Sequence, residues 1–531
     1  MAAMHRRATR VALPVAVCLL GIALVFHPTL LSGFQRMHWD TSDTRHSLWT
    51  FEHAYLWLSG APGHDKLWNP PVFYPAPGTF AYSENSLGLL PFYLPFRLAG
   101  FEPDTALQIF TLAAAALNFA AAFLLFSRAL RLHVVPASLG AFLFAFANMR
   151  TSQLGHLFLM PQFFLVGAAW ALVRLVAGAS DSDRRRSLPW VLTFLACMAA
   201  QLWANLYQAW LFGFFLLVLL VVAACRRDTR QGIALWVRSC WRGLVLGGLL
   251  AALAVLPLLL HYGATVRAVG QRDFAVVKPF LVEPQAWINM GPHNWLYGSL
   301  APLQRLRDVI NEGEKRLGLG HAATVLAVAG VWFSRHRLAV RVVAIAVVAA
   351  ALLVTRVGDC SLWCLVHRFV PGAGGFRAVS RLGLELLLPV SAFVALAFEE
   401  LRTKRAWAVS LLAGLLLVAE QAQSAPTFDK LAARQRAVRV AEMIAPQCEV
   451  FYYAPLTRPE HWSNYHLDAM WAGMLNGKPT VNGYSSAEPV DYLPLRLDGP
   501  GGEGEEARLA GALAVWERRH GLDPGTVCWI K

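Results

Sequence analysis

Apolar residues run along this chain in long blocks separated by short polar breaks. A stretch of about 17 to 22 apolar residues, wound at 1.5 Å per residue, matches the hydrocarbon thickness of a bilayer. Such stretches occupy 11–31, 104–127, 134–150, 157–177, 188–204, 206–225, 243–261, 318–334, 338–356, 382–400 and 406–424, which predicts about eleven membrane helices. The pattern changes in 32–103, 262–317, 357–381 and from 425 onward. Leu48, Phe51, Tyr55 and Leu58 recur at helical spacing, with Ser47, Thr50, Glu52 and Ser59 off the stripe. That spacing predicts an amphipathic helix lying on the membrane with a hydrated polar face. LWNPPVFYPAPGTFAYSEN, residues 67–85, carries Pro70, Pro71, Pro75 and Pro77 and reads as an irregular loop. Residues 86–100 are apolar but interrupted by Pro91 and Pro95, so a kinked or half-inserted element is expected. In the polar tail, CEVFYYAP, KPTVNGYS and GTVCWI read as strands and EEARLAGALAVWERRHG as a helix. The expected architecture is an α-helical polytopic membrane domain, 1–424, followed by a small α/β domain, 425–531.

Composition agrees: 56% of the 531 residues are hydrophobic and 15% charged, with a mean hydropathy of +0.44. The net charge of +14 does not suggest nucleic acid, because the cations are dispersed in small groups between apolar runs. These groups are His5-Arg6-Arg7-Arg10, Arg128 with Arg131, Arg184-Arg185-Arg186, Arg226-Arg227-Arg230, Arg335 with Arg337, and Arg402-Lys404-Arg405. They fall in every second loop, which by the positive-inside rule places the amino terminus in the cytoplasm and the tail outside. The first apolar stretch is too long for an ordinary signal peptide and no A-x-A site follows it, so it reads as a retained helix. With no N-x-[ST] sequon, this fits a bacterial inner membrane with a periplasmic tail. Cys360, Cys364, Cys448 and Cys528 fall on the exported side, where Cys448–Cys528 and a tighter Cys360–Cys364 pair are the expected disulfides, free thiols being an equal alternative for the close pair. The cytoplasmic loops are short and hold no P-loop, which argues against ATP-driven transport by this chain alone.

Chemistry is then sought on the exported side. Asp40 and Asp43 follow the first apolar stretch in HWDTSDTRHS. A carboxylate beside a lipid-lined, low-dielectric pocket acquires a raised pKa suited to general-base work. Capping of the following helix is the competing role for Asp43, and a structural role fits Asp40 better than a catalytic one. Glu84 in AYSEN is a second acidic candidate, with Tyr82 beside it and His53 on the surface helix as substrate contacts. GAGGFRAVSR places Arg377 and Arg381 one helical turn apart at the mouth of a membrane helix, a spacing that puts both guanidinium groups on one face, suited to bidentate phosphate contact, with headgroup snorkelling as the competing role; Arg267, Arg272 and Lys278 are weaker candidates, since Asp273 and Glu283 offer them partners. His461, His466 and Asp468 are zinc-binding residue types at a spacing that matches no zinc signature. His156 and His261 stand at helix ends, where an interface role is the commoner one, and Asn205 with Gln208 reads as a bridge between helices.

The basic amino terminus, first helix, WDTSD in an early outer loop, surface helix, multi-helix body and exported tail together resemble the GT-C superfamily of polytopic glycosyltransferases. TRHSLWTFEHAYLWLSG and FYPAPGTFAYSENSLGLLPFYLPFRL resemble uncharacterised bacterial members. The resemblance implies a sugar donor linked to polyprenyl phosphate and a glycan, lipid or protein acceptor. It also implies an acidic residue in the first outer loop; the relatives' G-D element falls on Ser42-Asp43, which favours Asp43 over Asp40. Ser42 replaces the glycine and no D-x-D is present, so a divalent cation (Mg or Mn) has no motif of its own here. A flippase for lipid-linked glycans, or a non-catalytic envelope-assembly factor, are the rival readings; the first predicts ionisable groups at mid-membrane depth, and in this sequence charges cluster at helix ends.

Overall fold

The computed structural model describes residues 2–178, 187–300 and 309–531, so the cluster Arg184-Arg185-Arg186 lies outside the described residues. Among them, eight helices are long and apolar enough to cross a membrane: Val11–Leu31, Pro103–Ala129, Val134–Thr151, Leu157–Ala177, Ser187–Ala204, Leu206–Ala224, Cys240–Val269 and Val379–Thr403. The chain is a multi-pass membrane protein. The stretches expected at 318–334, 338–356 and 406–424 are also helical but shorter, His321–Phe333, Leu338–Val354 and Trp407–Glu420. One cause is visible: Gly320, at φ +89°, breaks the first of these on its amino-terminal side, and the Glu420 carboxylate closes that helix end by accepting the N–H groups of Ala322 (2.8 Å) and Ala323 (3.1 Å).

Val134–Thr151 and Val379–Thr403 form the centre of the body and are buried nearly all round. Close approach depends on small residues: a Cβ on Gly330 would stand 1.9 Å from the Phe393 carbonyl oxygen. At the periphery, Leu246, Leu249, Leu250, Leu253 and Leu260 turn outward, as lipid-facing side chains do. The proline-interrupted stretch near residue 90 is a nine-residue helix, Leu90–Leu98.

The helix Asp43–Leu58 forms where the 48–58 stripe predicts it, but it has no hydrated face. Every residue from Thr44 to Ala54 is buried. The body packs on Leu48, Phe51 and Ala54, while the tail covers the opposite side, drawing Trp49 into its own core with Val72, Phe73, Tyr452 and Trp516. Glu52 consequently lies in the interior, where it accepts hydrogen bonds from Tyr93 Oη (2.9 Å) and from Arg97 Nε (2.9 Å) and Nη2 (2.7 Å).

In the tail, strands Val450–Tyr453 and Val527–Ile530 pair in parallel. KPTVNGYS adds only a bridge from Thr480 to Phe451 instead of a full strand. Helices Lys430–Met443, Trp462–Asn476 and Glu505–Arg519 complete it. Cys448 and Cys528 form a disulfide, whereas Cys360 and Cys364 are exposed free thiols. Strand Thr427–Asp429 runs antiparallel to Arg36–His38, tying the start of the tail to the exit of the first helix.

Candidate functional site

The turn that opens helix Asp43–Leu58 divides the work of its two aspartates. Asp40 Oδ1 accepts the backbone N–H groups of Ser42 (2.8 Å) and Asp43 (3.0 Å), a local turn of the kind short acidic side chains make. Asp43 is thereby relieved of capping. Its Oδ1 accepts the Tyr484 hydroxyl at 2.8 Å, and its Oδ2 stands 3.1 Å from His156 Nε2. The same nitrogen is 3.4 Å from Glu314 Oε1, and Glu314 receives Arg381 through Nη2 (2.8 Å) and Nε (3.1 Å). Tyr484, Asp43, His156, Glu314 and Arg381 thus form one chain of contacts drawn from five separate segments. It is partly open: the Asp43 side chain is 32% exposed and that of His156 24%, while Arg381 is only 8% exposed.

His156 is held from below. Arg150, buried, donates to the carbonyls of Phe144 (2.8 Å) and Met160 (3.0 Å) and to Gln162. Gln162 in turn donates to Glu385 at 2.9 Å, and Asn118 also reaches the Met160 carbonyl, at 2.6 Å. These bonds satisfy the polar groups of a chain reversal between two membrane helices and so give His156 a fixed position.

Electrostatics run against the expectation of a raised pKa at Asp43. Burial pushes its carboxyl upward, but the His156 imidazole and the Tyr484 hydroxyl outweigh burial and hold it well below the usual carboxylate range. Burial likewise opposes ionisation of Glu314, yet Arg381 and His156 bring it down to about 2. Asp40 shifts upward, through burial and the charge of Asp43. Asp43 is not among the residues lining the small space behind its partner Tyr484, which has about 10 Å³, room for one water at most.

The remaining candidates are distributed as follows. Glu84 accepts the N–H groups of Leu206 (2.8 Å) and Tyr207 (3.0 Å) and so closes the amino end of Leu206–Ala224; burial pushes its pKa up to about 7 despite these bonds. Tyr82 is a buried ring against Phe73, and its carbonyl anchors Ala487 N and Ser486 Oγ. His53 is ten residues beyond Asp43, about 15 Å along the helix. It is fully buried, stacked on Trp49 and hydrogen-bonded to His64 and the Leu67 carbonyl. Arg377 and Arg381 do not share a helix face, because Arg377 precedes the short turn Val379–Arg381. Arg381 is committed to Glu314, while Arg377 is exposed over the Phe280 ring at 5.5 Å. Arg272 lies near Arg377: burial lowers its pKa, and so does that second cation. Its Nη2 donates to the Ser486 carbonyl at 3.3 Å, and among the described residues neither arginine has an ion pair with a carboxylate. Lys278 pairs with Asp359. Arg267 is exposed in the last turn of its helix, apart from the cluster.

Among the described residues no group of three or more His, Cys, Asp and Glu side chains is placed to hold a metal ion; in the cluster Arg381 pairs with Glu314, and His156 Nε2 contacts both Asp43 and Glu314. In the tail, His461 contacts Ser463, His466 contacts Asn482 and Tyr492, and Asp468 pairs with Arg45 and Arg436; they do not converge. Asn205 caps Leu206–Ala224 through Gln208 N and, with Gln208, bonds the carbonyls of Phe158 and Leu159. Glu314 and Tyr484 carry no local motif that would single them out, and His156 is recognisable only as a histidine at a helix end.

No protein-family model matches the chain, and no curated protein does. Among solved structures, the chain is similar to arabinofuranosyltransferase AftD from Mycobacteria, determined by single-particle cryo-EM, with 13% identity and a TM-score of 0.48 over 85% of this chain and 30% of that one. It therefore spans less than a third of that protein.

Proposed function

We propose that the chain is a GT-C-type membrane glycosyltransferase. In this reading it moves a sugar from a polyprenyl-phosphate donor to a hydroxyl of a glycan, lipid or protein acceptor on the periplasmic face of a bacterial inner membrane. The observation that carries the reading is the state of Asp43: spared from capping, held well below the usual carboxylate range and partly exposed, with Arg377 acting on the same Tyr484 and, like Arg272, without a carboxylate partner among the described residues. In the reaction the bond from the anomeric carbon to the phosphate oxygen breaks, and polyprenyl phosphate leaves with the electron pair. The acceptor oxygen bonds to that carbon, and its proton passes to Asp43. Bond cleavage runs ahead of attack in such oxocarbenium-like displacements. The hydroxyl therefore becomes acidic late, and a weakly basic but fully ionised carboxylate suffices. Arg272 and Arg377 supply positive charge for the departing phosphate, while Arg381 holds Glu314, and Glu314 with Asp43 orients His156.

The test is release of polyprenyl phosphate by the purified full-length chain from a panel of polyprenyl-phosphate sugars. The wild type should turn over at least one donor, and Asp43→Asn should lose about 10²- to 10⁴-fold in kcat. A wild type inert with every donor overturns the enzyme reading and leaves the flippase; undiminished turnover by Asp43→Asn removes Asp43 as the base.

A further inference from the structure

Two residues beyond Asp43, and so about 200° around the same helix, Arg45 points away from the Asp43 cluster into a separate cavity of about 140 Å³. Its walls are mainly apolar, from Met37, Leu48, Phe428, Trp471 and Leu475. Charges at its edge are already matched: Asp104 holds Lys430 at 3.2 Å and Arg434 at 2.7 Å. Arg45 is different. Its residue surface is 4% exposed and its Nη2 meets Asp468 at 2.5 Å, yet Nη1 has no hydrogen-bond partner, and neither has Nε1 of Trp471. Leaving two buried donors unmatched is unfavourable, and both belong to side chains lining the same space.

We propose that this cavity binds the carbonyl or carboxylate end of a lipid acyl chain, whose oxygen accepts from Arg45 Nη1 and Trp471 Nε1 while the first methylenes lie against Met37, Leu48 and Phe428. Size supports a short segment of chain: an engineered cavity of about 150 Å³ takes a benzene molecule. Position supports a lipid. Pro103, at the start of the membrane helix Pro103–Ala129, is part of the lining, and Leu98 and Phe101 just before it are exposed. The same acyl end exists in a free fatty acid and in a phospholipid ester.

The experiment uses the full-length protein in nanodiscs containing either a fatty acid or a phosphatidylglycerol with a photoactivatable diazirine close to the acyl carbonyl, followed by mapping of the labelled peptides. Adducts around Phe428 and Trp471–Leu475 are expected. Ala437→Leu, which fills the cavity from its wall, should reduce them at least tenfold, and Trp471→Phe, which removes a donor but keeps the ring, several-fold. Labelling by the acid alone assigns a free fatty acid, and labelling by the phospholipid assigns the ester. Absence of adducts there with both probes, or adducts undiminished in a folded Ala437→Leu protein, overturns the proposal and leaves a water-filled cavity. If Ala437→Leu does not fold, undiminished labelling of Trp471→Phe has the same force.

Discussion

At the scale of single residues, the cluster around Asp43 turns on which of two neighbouring carboxylates meets the backbone. Asp40 takes the two N–H groups, so Asp43 is left to His156 and Tyr484. Because these partners hold the Asp43 pKa down, activity that needs its ionised form should persist as pH falls and be lost only below the usual carboxylate range. His156→Ala removes the main lowering influence while burial continues to raise the pKa, so the acid limb of the kcat/KM profile should move to higher pH; an unmoved limb would separate His156 from the base. Tyr484→Phe should move it the same way by a smaller amount. Asp43 was legible in the sequence because it sits where the first apolar run ends. Its electrostatic surroundings were not, since His156, Glu314 and Tyr484 are 113 or more positions away and no local spacing relates them to it.

At the scale of elements, two membrane-body helices are closed by carboxylates from remote parts of the chain: Glu84 at Leu206–Ala224 and Glu420 at His321–Phe333. Negative charge at a helix amino terminus complements both the unpaired N–H groups and the macrodipole. Glu84 also makes a testable pH signature. Its pKa rises from the ordinary 4.5 to about 7 on folding, so the folded chain holds a proton that the unfolded chain has released across that window. The stability it contributes is therefore fully present below 4.5 and declines as pH rises toward 7. Glu84→Gln should flatten the pH dependence of thermal melting over this range and, by losing one acceptor, cost about 1 kcal/mol. Helix positions were readable from apolar run length alone. Such caps were not, because a carboxylate in a loop and one on a helix end look the same until the chain folds. For the same reason the polar side of Asp43–Leu58 reads as solvated in sequence, although Glu52 and His53 lie in the interior.

At the scale of the molecule, the larger part of the tail's core is shared: beside a small cluster of its own around Val440, Ile444, Phe451 and Ile530, its apolar residues close around Trp49, Val72 and Phe73 of the first long loop. Deleting 425–531 should therefore abolish activity and expose that loop to limited proteolysis, where a self-contained appendage would leave the body intact. Within the tail, the Cys448–Cys528 bond spans 80 positions, and restricting the unfolded chain over such a loop is worth on the order of 4 kcal/mol. Reduction or Cys528→Ser should lower the melting temperature of the purified protein by several degrees.

The pairing of Arg36–His38 with Thr427–Asp429 has a temporal consequence. The residues that position Asp43 cannot find their partner strand until almost four hundred further residues have been made and the body helices inserted. A ribosome-bound chain halted before that point would carry all eight of the described helices that are long and apolar enough to cross a membrane and still have an unassembled Asp43 cluster, so under the proposed function competence for chemistry would arrive as one of the last events of biogenesis.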